Sequence, residues 1–167
     1  YTAGPVKLKY RTLGEVSVFL AFGPLMVGGA VYAITGKFSW DPLLASTPIG
    51  LLIALVLLAN NLRDRKFDAN VGISTMATGA TEDQGMRYFT ALTASAYISV
   101  IALILLGIFS PFALLSFLSI KTAMEIIRQF SEKIPLTSDQ QTAQLALQFG
   151  VLLTAGELVN VLYYTFF

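Results

Sequence analysis

The sequence predicts an all-α protein, a polytopic transmembrane helical bundle with about five spans. Hydrophobic residues make up 55% of the chain and charged residues only 13%, whereas soluble domains have about 25% charged residues. The chain also contains several apolar runs close to the roughly 20 residues that cross a bilayer core. These runs are continuous rather than alternating, which is typical of membrane helices and not of membrane barrels.

Five segments are predicted to span the membrane, at residues 16–35, 43–59, 88–108, 112–127 and 145–167. The first contains Gly23-Pro24 and the second contains Pro48. Both interruptions predict a broken or kinked helix, as found where helices line a cavity. The third segment is long and hydrophobic enough to cross a bilayer.

The last two predicted spans carry polar residues. The fourth is short and contains Lys121 and Glu125, whose i,i+4 spacing allows the two charges to neutralise each other. The fifth contains Glu157 and Asn160. Ionisable groups at membrane depth are costly and are functional candidates by default, so Glu157 is expected to face the bundle interior, to be protonated or to pair with another residue.

Basic residues collect in alternate connections between the predicted spans. They are Lys7, Lys9 and Arg11 before the first span, Arg63, Arg65, Lys66 and Arg87 after the second, and Arg128 and Lys133 after the fourth. The opposite side has only Lys37 in its first loop. Because basic loops of membrane proteins face the cytoplasm, we expect these connections to be cytoplasmic, in a bacterial inner membrane.

The residue inventory excludes several kinds of chemistry. The net charge is only +1, so there is no electrostatic case for a nucleic acid partner. The sequence has no cysteine and no histidine, which removes disulfides, thiolate metal sites and histidine acid–base chemistry. Any metal must therefore be held by oxygen. The chain begins at Tyr1 without a signal-peptide pattern, and we interpret it as a piece of a longer protein.

A polar cluster follows the second apolar run and is the most informative feature of the chain. Asp64 and Asp68 are four residues apart, so they stack on one face of a helix, with Asn60 one turn back. Two carboxylates at the mouth of a membrane helix suit Mg²⁺, whose coordination a substrate diphosphate would complete. The alternative is a solvated helix end whose acids pair locally with basic neighbours, namely Arg63, Arg65 and Lys66.

Two further segments near this cluster have open interpretations. Lys7 and Lys9 form a basic patch before the first span that suits either a diphosphate or anionic lipid headgroups. The connection after Asp68 is rich in glycine and threonine, with Gly72, Thr75 and Thr78. Such a segment either exposes backbone amides to an anion or is an ordinary polar loop.

The motif residues resemble a known family, the UbiA superfamily of intramembrane prenyltransferases. Its second aspartate-rich motif is similar to the pattern Asn60-Asn61-Leu62-Arg63-Asp64-x-x-x-Asp68-x-x-x-Gly72-x-x-Thr75. The paired asparagines before Arg-Asp are most like the dihydroxynaphthoate prenyltransferases of menaquinone synthesis. The segment before helix five of that branch resembles Tyr1-Thr2-x-Gly4-Pro5 and Lys9-Tyr10-Arg11-x-Leu13-Gly14-Glu15.

The resemblance implies the C-terminal half of a nine-span helical fold. It implies Mg²⁺-dependent transfer of a polyprenyl group from its diphosphate to an aromatic acceptor, dihydroxynaphthoate in the menaquinone branch, with the prenyl tail in a cavity open to membrane lipid. Asp64 and Asp68 match the catalytic metal carboxylates. The residues expected to bind substrate are Asn60, Asn61, Arg63, Lys7, Lys9 and Tyr1.

This sequence departs from the family pattern in one respect. The first aspartate-rich motif of the family is absent from it, so we expect N-terminal helices or another membrane subunit as a partner. One alternative is a non-catalytic, prenyltransferase-derived subunit that packs in a larger quinone-using or photosynthetic complex. Another is a chlorophyll synthase of the same superfamily, which shares the chemistry but not the paired asparagines.

Overall fold

A computed structural model describes residues 13–166, and every regular element in that range is helical. In chain order the elements are α1 (Gly14–Leu20), a π-helical segment (Ala21–Leu25), α2 (Met26–Thr35), α3 (Trp40–Ala45), α4 (Thr47–Asn70), α5 (Glu82–Leu105), a 3-10 helix (Pro111–Ser119), α6 (Ile120–Glu132) and α7 (Ser138–Phe166). The predicted all-helical bundle is confirmed.

Within the described range, four helical segments are long and apolar enough to cross a membrane. They are Gly14–Thr35, Trp40–Asn70, Glu82–Leu105 and Ser138–Phe166, and each overlaps one of the predicted spans. The second runs well past the predicted boundary at residue 59, because α4 continues to Asn70. The connection between the second and third spans therefore begins after Asn70, and Asp64 and Asp68 lie inside α4.

The segment predicted as the fourth span, 112–127, is built differently from the other four. It consists of the 3-10 helix followed by α6, and it does not meet the length and composition of a spanning helix. Its flanks nevertheless lie at opposite ends of the bundle. Ser110, before it, bonds Glu157 late in α7, and Leu136, after it, accepts a bond from Arg63 late in α4.

Helix α7 runs antiparallel to α4, and a close contact shapes the 3-10 helix beside it. Ser138 donates to the Ala59 carbonyl at 3.2 Å, and Gly150, further along α7, lies against Ile49. A Cβ atom at Gly156 would overlap the carbonyl group of Phe112. The small residue therefore lets the two backbones approach each other closely.

The structure shows which groups contact the polar residues of the last two predicted spans. The Glu157 carboxylate accepts from the Ser110 N–H at 3.0 Å and from its hydroxyl at 3.1 Å, which agrees with the expectation of an inward-facing group. Lys121 and Glu125 are both exposed on α6. No ion pair joins them in the described structure, so the predicted mutual neutralisation is wrong.

The proline interruptions act in two ways. Gly23 has a non-helical conformation (φ −100°, ψ −105°) next to Pro24, so the first span is kinked as predicted. Pro48 lies in the first turn of α4, where a missing N–H leaves no hydrogen bond unmade. The second span is therefore broken before Pro48, at Ser46, rather than kinked at the proline.

Candidate functional site

The polar cluster occupies the last turns of α4. Helix α4 ends at Asn70, and Gly72, two residues beyond it, has a φ of +70°, a conformation that favours glycine. The Ile73 N–H returns to the Asp68 carbonyl at 2.8 Å and caps the helix. Gly72 therefore terminates α4, and this role explains the residue without an anion.

Arg63 is the centre of the cluster. Its Nε donates to Asp64 Oδ1 and its Nη2 to Asp64 Oδ2, both at 2.9 Å. Nη2 also reaches Asn60 Oδ1 at 2.6 Å. Nη1 contacts the Leu136 carbonyl at 3.3 Å and Asp139 Oδ1 at 2.8 Å. A guanidinium group has five N–H donors; four hydrogen bonds use four of them, and Nη1 also forms the ion pair with Asp139.

This arrangement has two consequences for the predicted roles. The local pairing weighed as an alternative is present for Asp64, whose two carboxylate oxygens are held by the Nε/Nη2 edge of one guanidinium group. Arg63, predicted to bind the diphosphate, is engaged within the protein by Asp64, Asn60, Leu136 and Asp139, and its role toward the substrate stays a prediction. Arg65 bonds the Ala80 carbonyl at 2.6 Å instead of an acid.

The two neighbouring asparagines point to different helices, because successive residues of an α-helix are about 100° apart. Asn60 joins the Arg63 cluster beside α7. Asn61 is 3% exposed, and its Nδ2 donates to Glu15 Oε1 of α1 at 2.8 Å. Glu15 is itself 5% exposed. Asn61 Oδ1 is buried without a hydrogen-bond partner among the described residues.

Asp68 differs from Asp64 in its surroundings. Asp68 is 5% exposed, whereas the Asp64 side chain is 38% exposed and paired with Arg63. The described part of the chain gives Asp68 no ion-pair partner. The two acids lie one turn apart on α4 as predicted, but only Asp64 belongs to the arginine cluster.

The donor set fits part of a Mg²⁺ site. Carboxylate and amide oxygens are the ligands that Mg²⁺ prefers in proteins, and Asp64, Asp68 and Asn60 supply them. Residues 13–166 contain no group of three or more histidine, cysteine or acidic side chains that could enclose a metal ion. These residues therefore supply some of the ligands of such a site and not a complete set.

The connection between α4 and α5, residues 71–81, satisfies its own polar groups. Thr78 Oγ1 accepts from the Thr75 N–H at 2.7 Å, and Thr75 Oγ1 accepts from the Thr78 N–H at 3.1 Å. Thr75 is buried. The two threonines thus close a turn, which fits the ordinary-loop interpretation and brings Met76 and Ala80 over an adjacent cavity.

That cavity has a volume of about 700 Å³ and lies among α1, α4, residues 71–81 and α5. Its walls are mostly apolar and include Phe19, Leu51, Leu58 and Leu92. Glu15 is the one charged residue that lines it within the described range. The cavity is therefore an apolar chamber whose α4 wall ends at Leu58, before the polar cluster of that helix begins at Asn60.

The sequence analysis missed two acids of the site. Three of the residues that it predicted to bind substrate lie outside the described range. Asp139 and Glu15 contact the cluster from α7 and α1. The signal for Glu15 was its place in the motif that ends Leu13-Gly14-Glu15, and Asp139 gave only a helix-start signal. Tyr1, Lys7 and Lys9 lie outside the described residues, so their roles stay predictions.

These features define a class of protein: a polytopic integral membrane protein with a polar cluster at one end of its helices and an apolar cavity beside it. A profile of the UbiA prenyltransferase family matches residues 1–153. The chain belongs to the UbiA prenyltransferase family, which confirms the resemblance seen in the sequence motifs.

Similarity to individual proteins supports the same family assignment. The chain is 30% identical to a 1,4-dihydroxy-2-naphthoate octaprenyltransferase of Bacillus subtilis (strain 168), over 96% of this chain and 53% of the relative. It is 33% identical to the UbiA prenyltransferase domain-containing protein 1 of Dictyostelium discoideum, over 96% of this chain and 48% of the relative.

A third relative, a 1,4-dihydroxy-2-naphthoate octaprenyltransferase of Haemophilus influenzae, is 36% identical over 61% of this chain and 33% of its own length. The chain thus spans about half the length, or less, of these curated relatives. No solved structure matches it significantly.

Proposed function

We propose that this chain is the C-terminal half of an enzyme that transfers a polyprenyl group from its diphosphate to an aromatic quinone precursor. The observation that carries the proposal is that α4 lines an apolar cavity of about 700 Å³ as far as Leu58 and bears the acids Asp64 and Asp68 further along the same helix. A polyprenyl diphosphate has the same two parts, a charged head and a long apolar tail. The family to which the chain belongs supports the same reaction class.

We propose Asp64 and Asp68 as ligands of Mg²⁺, together with acids from helices outside this chain. When bound, Mg²⁺ would offset the charge that grows on the leaving diphosphate. Asn60 would help to position the Arg63 guanidinium group, and Asn61 would position the Glu15 carboxylate. Lys7, Lys9 and Tyr1 remain proposed partners of the diphosphate. The apolar walls would exclude water, which otherwise captures an allylic cation.

Dihydroxynaphthoate is the proposed acceptor, within menaquinone synthesis. Two of the relatives are named for transfer to 1,4-dihydroxy-2-naphthoate, and the paired asparagines resemble that branch. A non-catalytic membrane subunit is the second candidate. It is favoured by the engagement of both Asp64 oxygens by Arg63, which a purely structural role would also produce.

The proposed location is a bacterial inner membrane with residues 71–81 in the cytoplasm. Lys37 precedes the Trp40–Asn70 segment and Ala69 lies in its last turn; both are exposed, and the chain has no cysteine of its own. In intact cells an impermeant thiol reagent should label Lys37→Cys, and it should label Ala69→Cys only after the membrane is opened. The reverse pattern would overturn the orientation.

The enzyme and the subunit make opposite predictions about co-expression with an N-terminal half. Residues 1–167 alone should show no transfer of a prenyl group to dihydroxynaphthoate, because the described acids cannot enclose the metal. Co-expression with the N-terminal half of the Bacillus subtilis relative should give transfer, measured by chromatography of the prenylated product. The control pairs that half with the Asp68→Asn chain. Turnover by the lone chain would contradict the incomplete site, and co-purification without turnover would favour the subunit.

A further inference from the structure

Glu15 and Asn61 form a buried polar pair that the proposed metal chemistry does not use. Glu15 lines the apolar cavity, and Asn61 donates its Nδ2 hydrogen to Glu15 Oε1 at 2.8 Å. Asn61 lies three residues after Leu58, another lining residue, so it is on the cavity face of α4. Two helices that are distant in sequence therefore bring these side chains together beside the cavity, whose wall includes Glu15.

The pair has unused acceptors and little to offset its charge. No hydrogen bond to Glu15 Oε2 occurs among the described residues, and Asn61 Oδ1 is buried without a partner. No ion pair to Glu15 occurs there either. Buried polar atoms are nearly always hydrogen-bonded, so the unsatisfied Asn61 Oδ1 beside a carboxylate that lines the cavity indicates a ligand that brings donors.

The chemistry of the pair selects the kind of ligand group. Two acceptor oxygens require O–H or N–H donors, and a carboxylate repels a diphosphate, which is itself anionic. An apolar wall next to the acceptors suits an aromatic ring. A phenolic compound has both parts, because its ring is apolar and its hydroxyl group is a strong donor.

We propose that Glu15 and Asn61 bind the phenolic hydroxyl group of the aromatic acceptor and hold its ring against the cavity wall. This inference rests on the proposed function, since it names the residues that select the acceptor of that reaction. The carboxylate would also keep the acceptor's hydroxyl end apart from the diphosphate end of the second substrate.

The test measures binding without turnover. The probes are 1-naphthol and its methyl ether, 1-methoxynaphthalene, which lacks the O–H donor. The full chain in lipid nanodiscs should bind 1-naphthol at least about tenfold more tightly, as expected when a hydrogen bond to a charged group is lost. Naphthalene fluorescence is the readout, and empty nanodiscs correct for partition into lipid.

Two variants test whether Glu15 is responsible for the preference for 1-naphthol. Glu15→Gln keeps the shape but replaces an acceptor oxygen with a donor, so the preference for naphthol should fall about tenfold. Ser95→Ala is the matched control, because Ser95 lines the same cavity but its hydroxyl group already bonds the Ala91 carbonyl at 2.8 Å. This control should leave the preference unchanged.

The wild-type comparison stands even where a variant fails to fold. Equal binding of the two probes by the wild-type chain would overturn the proposal, and so would a full preference in folded Glu15→Gln. The co-expressed halves supply a separate transfer readout. A naphthol preference without prenyl transfer would refute the proposed reaction but support the hydroxyl site. Transfer without the preference would support the reaction and refute the hydroxyl site.

Discussion

Replacing Asp68 with asparagine should reduce prenyl transfer by the co-expressed halves roughly 10- to 100-fold, the range seen when groups at metal sites are removed. The side chain is 5% exposed and has no ion-pair partner in the described structure. A buried carboxylate without a cation is costly, and a divalent cation from outside these residues would remove that cost. Asparagine keeps the shape of the side chain and removes the charge.

The same change at Asp64 should lower activity by a similar factor, but for two reasons. The variant loses a proposed ligand, and it also loses the bidentate contact with Arg63. Raising the Mg²⁺ concentration should therefore recover more activity in Asp68→Asn than in Asp64→Asn. Transfer is measured against Mg²⁺ concentration, and thermal unfolding of each variant reports on the fold.

Asp83→Asn is the matched control for both changes. Asp83 is exposed in the first turn of α5, so the same loss of charge there should leave transfer near the wild-type level. If Asp64→Asn and Asp68→Asn both retain wild-type activity with an unchanged Mg²⁺ dependence, the metal role of these acids is wrong.

Hydropathy predicted the helices well because burial in a bilayer requires long apolar runs, but it placed their ends poorly. The run ends at Ala59, yet α4 continues to Asn70, because polar residues also form helix and the cap at Gly72 sets the end. The 3-10 helix was not predictable from hydropathy. It packs closely against α7, where a Cβ at Gly156 would overlap Phe112, and hydropathy carries no information on such tertiary contacts.

The candidate site was predictable only along one helix. The i,i+4 spacing correctly placed Asp64 and Asp68 one turn apart on α4. Spacing along a helix gives no information on neighbours from other helices, so Asp139 beside Arg63 and Glu15 beside Asn61 were missed. Glu15 and Asn61 are 46 residues apart in sequence, and only the packing of α1 on α4 brings them together.

Replacing Arg63 with lysine should lower both the stability of the bundle and the rate of transfer. The guanidinium group bridges Asp64 and Asn60 on α4 to Asp139 and Leu136 beside it. Lysine has three donors on a single nitrogen and cannot reproduce this planar bridge. The Arg63 and Asp139 side chains are 20% and 33% exposed, so solvent weakens the pair, and we expect a loss of about 1–2 kcal/mol of unfolding free energy.

A double-mutant cycle isolates the contact between the two helices. Arg63→Gln, Asp139→Asn and the double variant are compared by chemical unfolding in detergent. Direct contact predicts a coupling energy of about 0.5–2 kcal/mol, within the usual range for contacting residues. Lys66→Gln, an exposed basic residue of the same helix, is the control and should change stability little. Additive effects of the two changes would contradict the bridge.

Kinetics then separate the two possible roles of Arg63. As a positioning residue it holds the Asp64 carboxylate, so Arg63→Lys should lower kcat, and Asp139→Asn should lower it in the same direction by loosening the guanidinium group. As a diphosphate ligand it would act on substrate binding. In that case Arg63→Lys would raise the KM for the prenyl diphosphate, and Asp139→Asn would free an N–H and lower that KM. Because Arg63 makes four hydrogen bonds and an ion pair within the protein, we expect the first pattern, and the second would indicate that Arg63 binds the diphosphate.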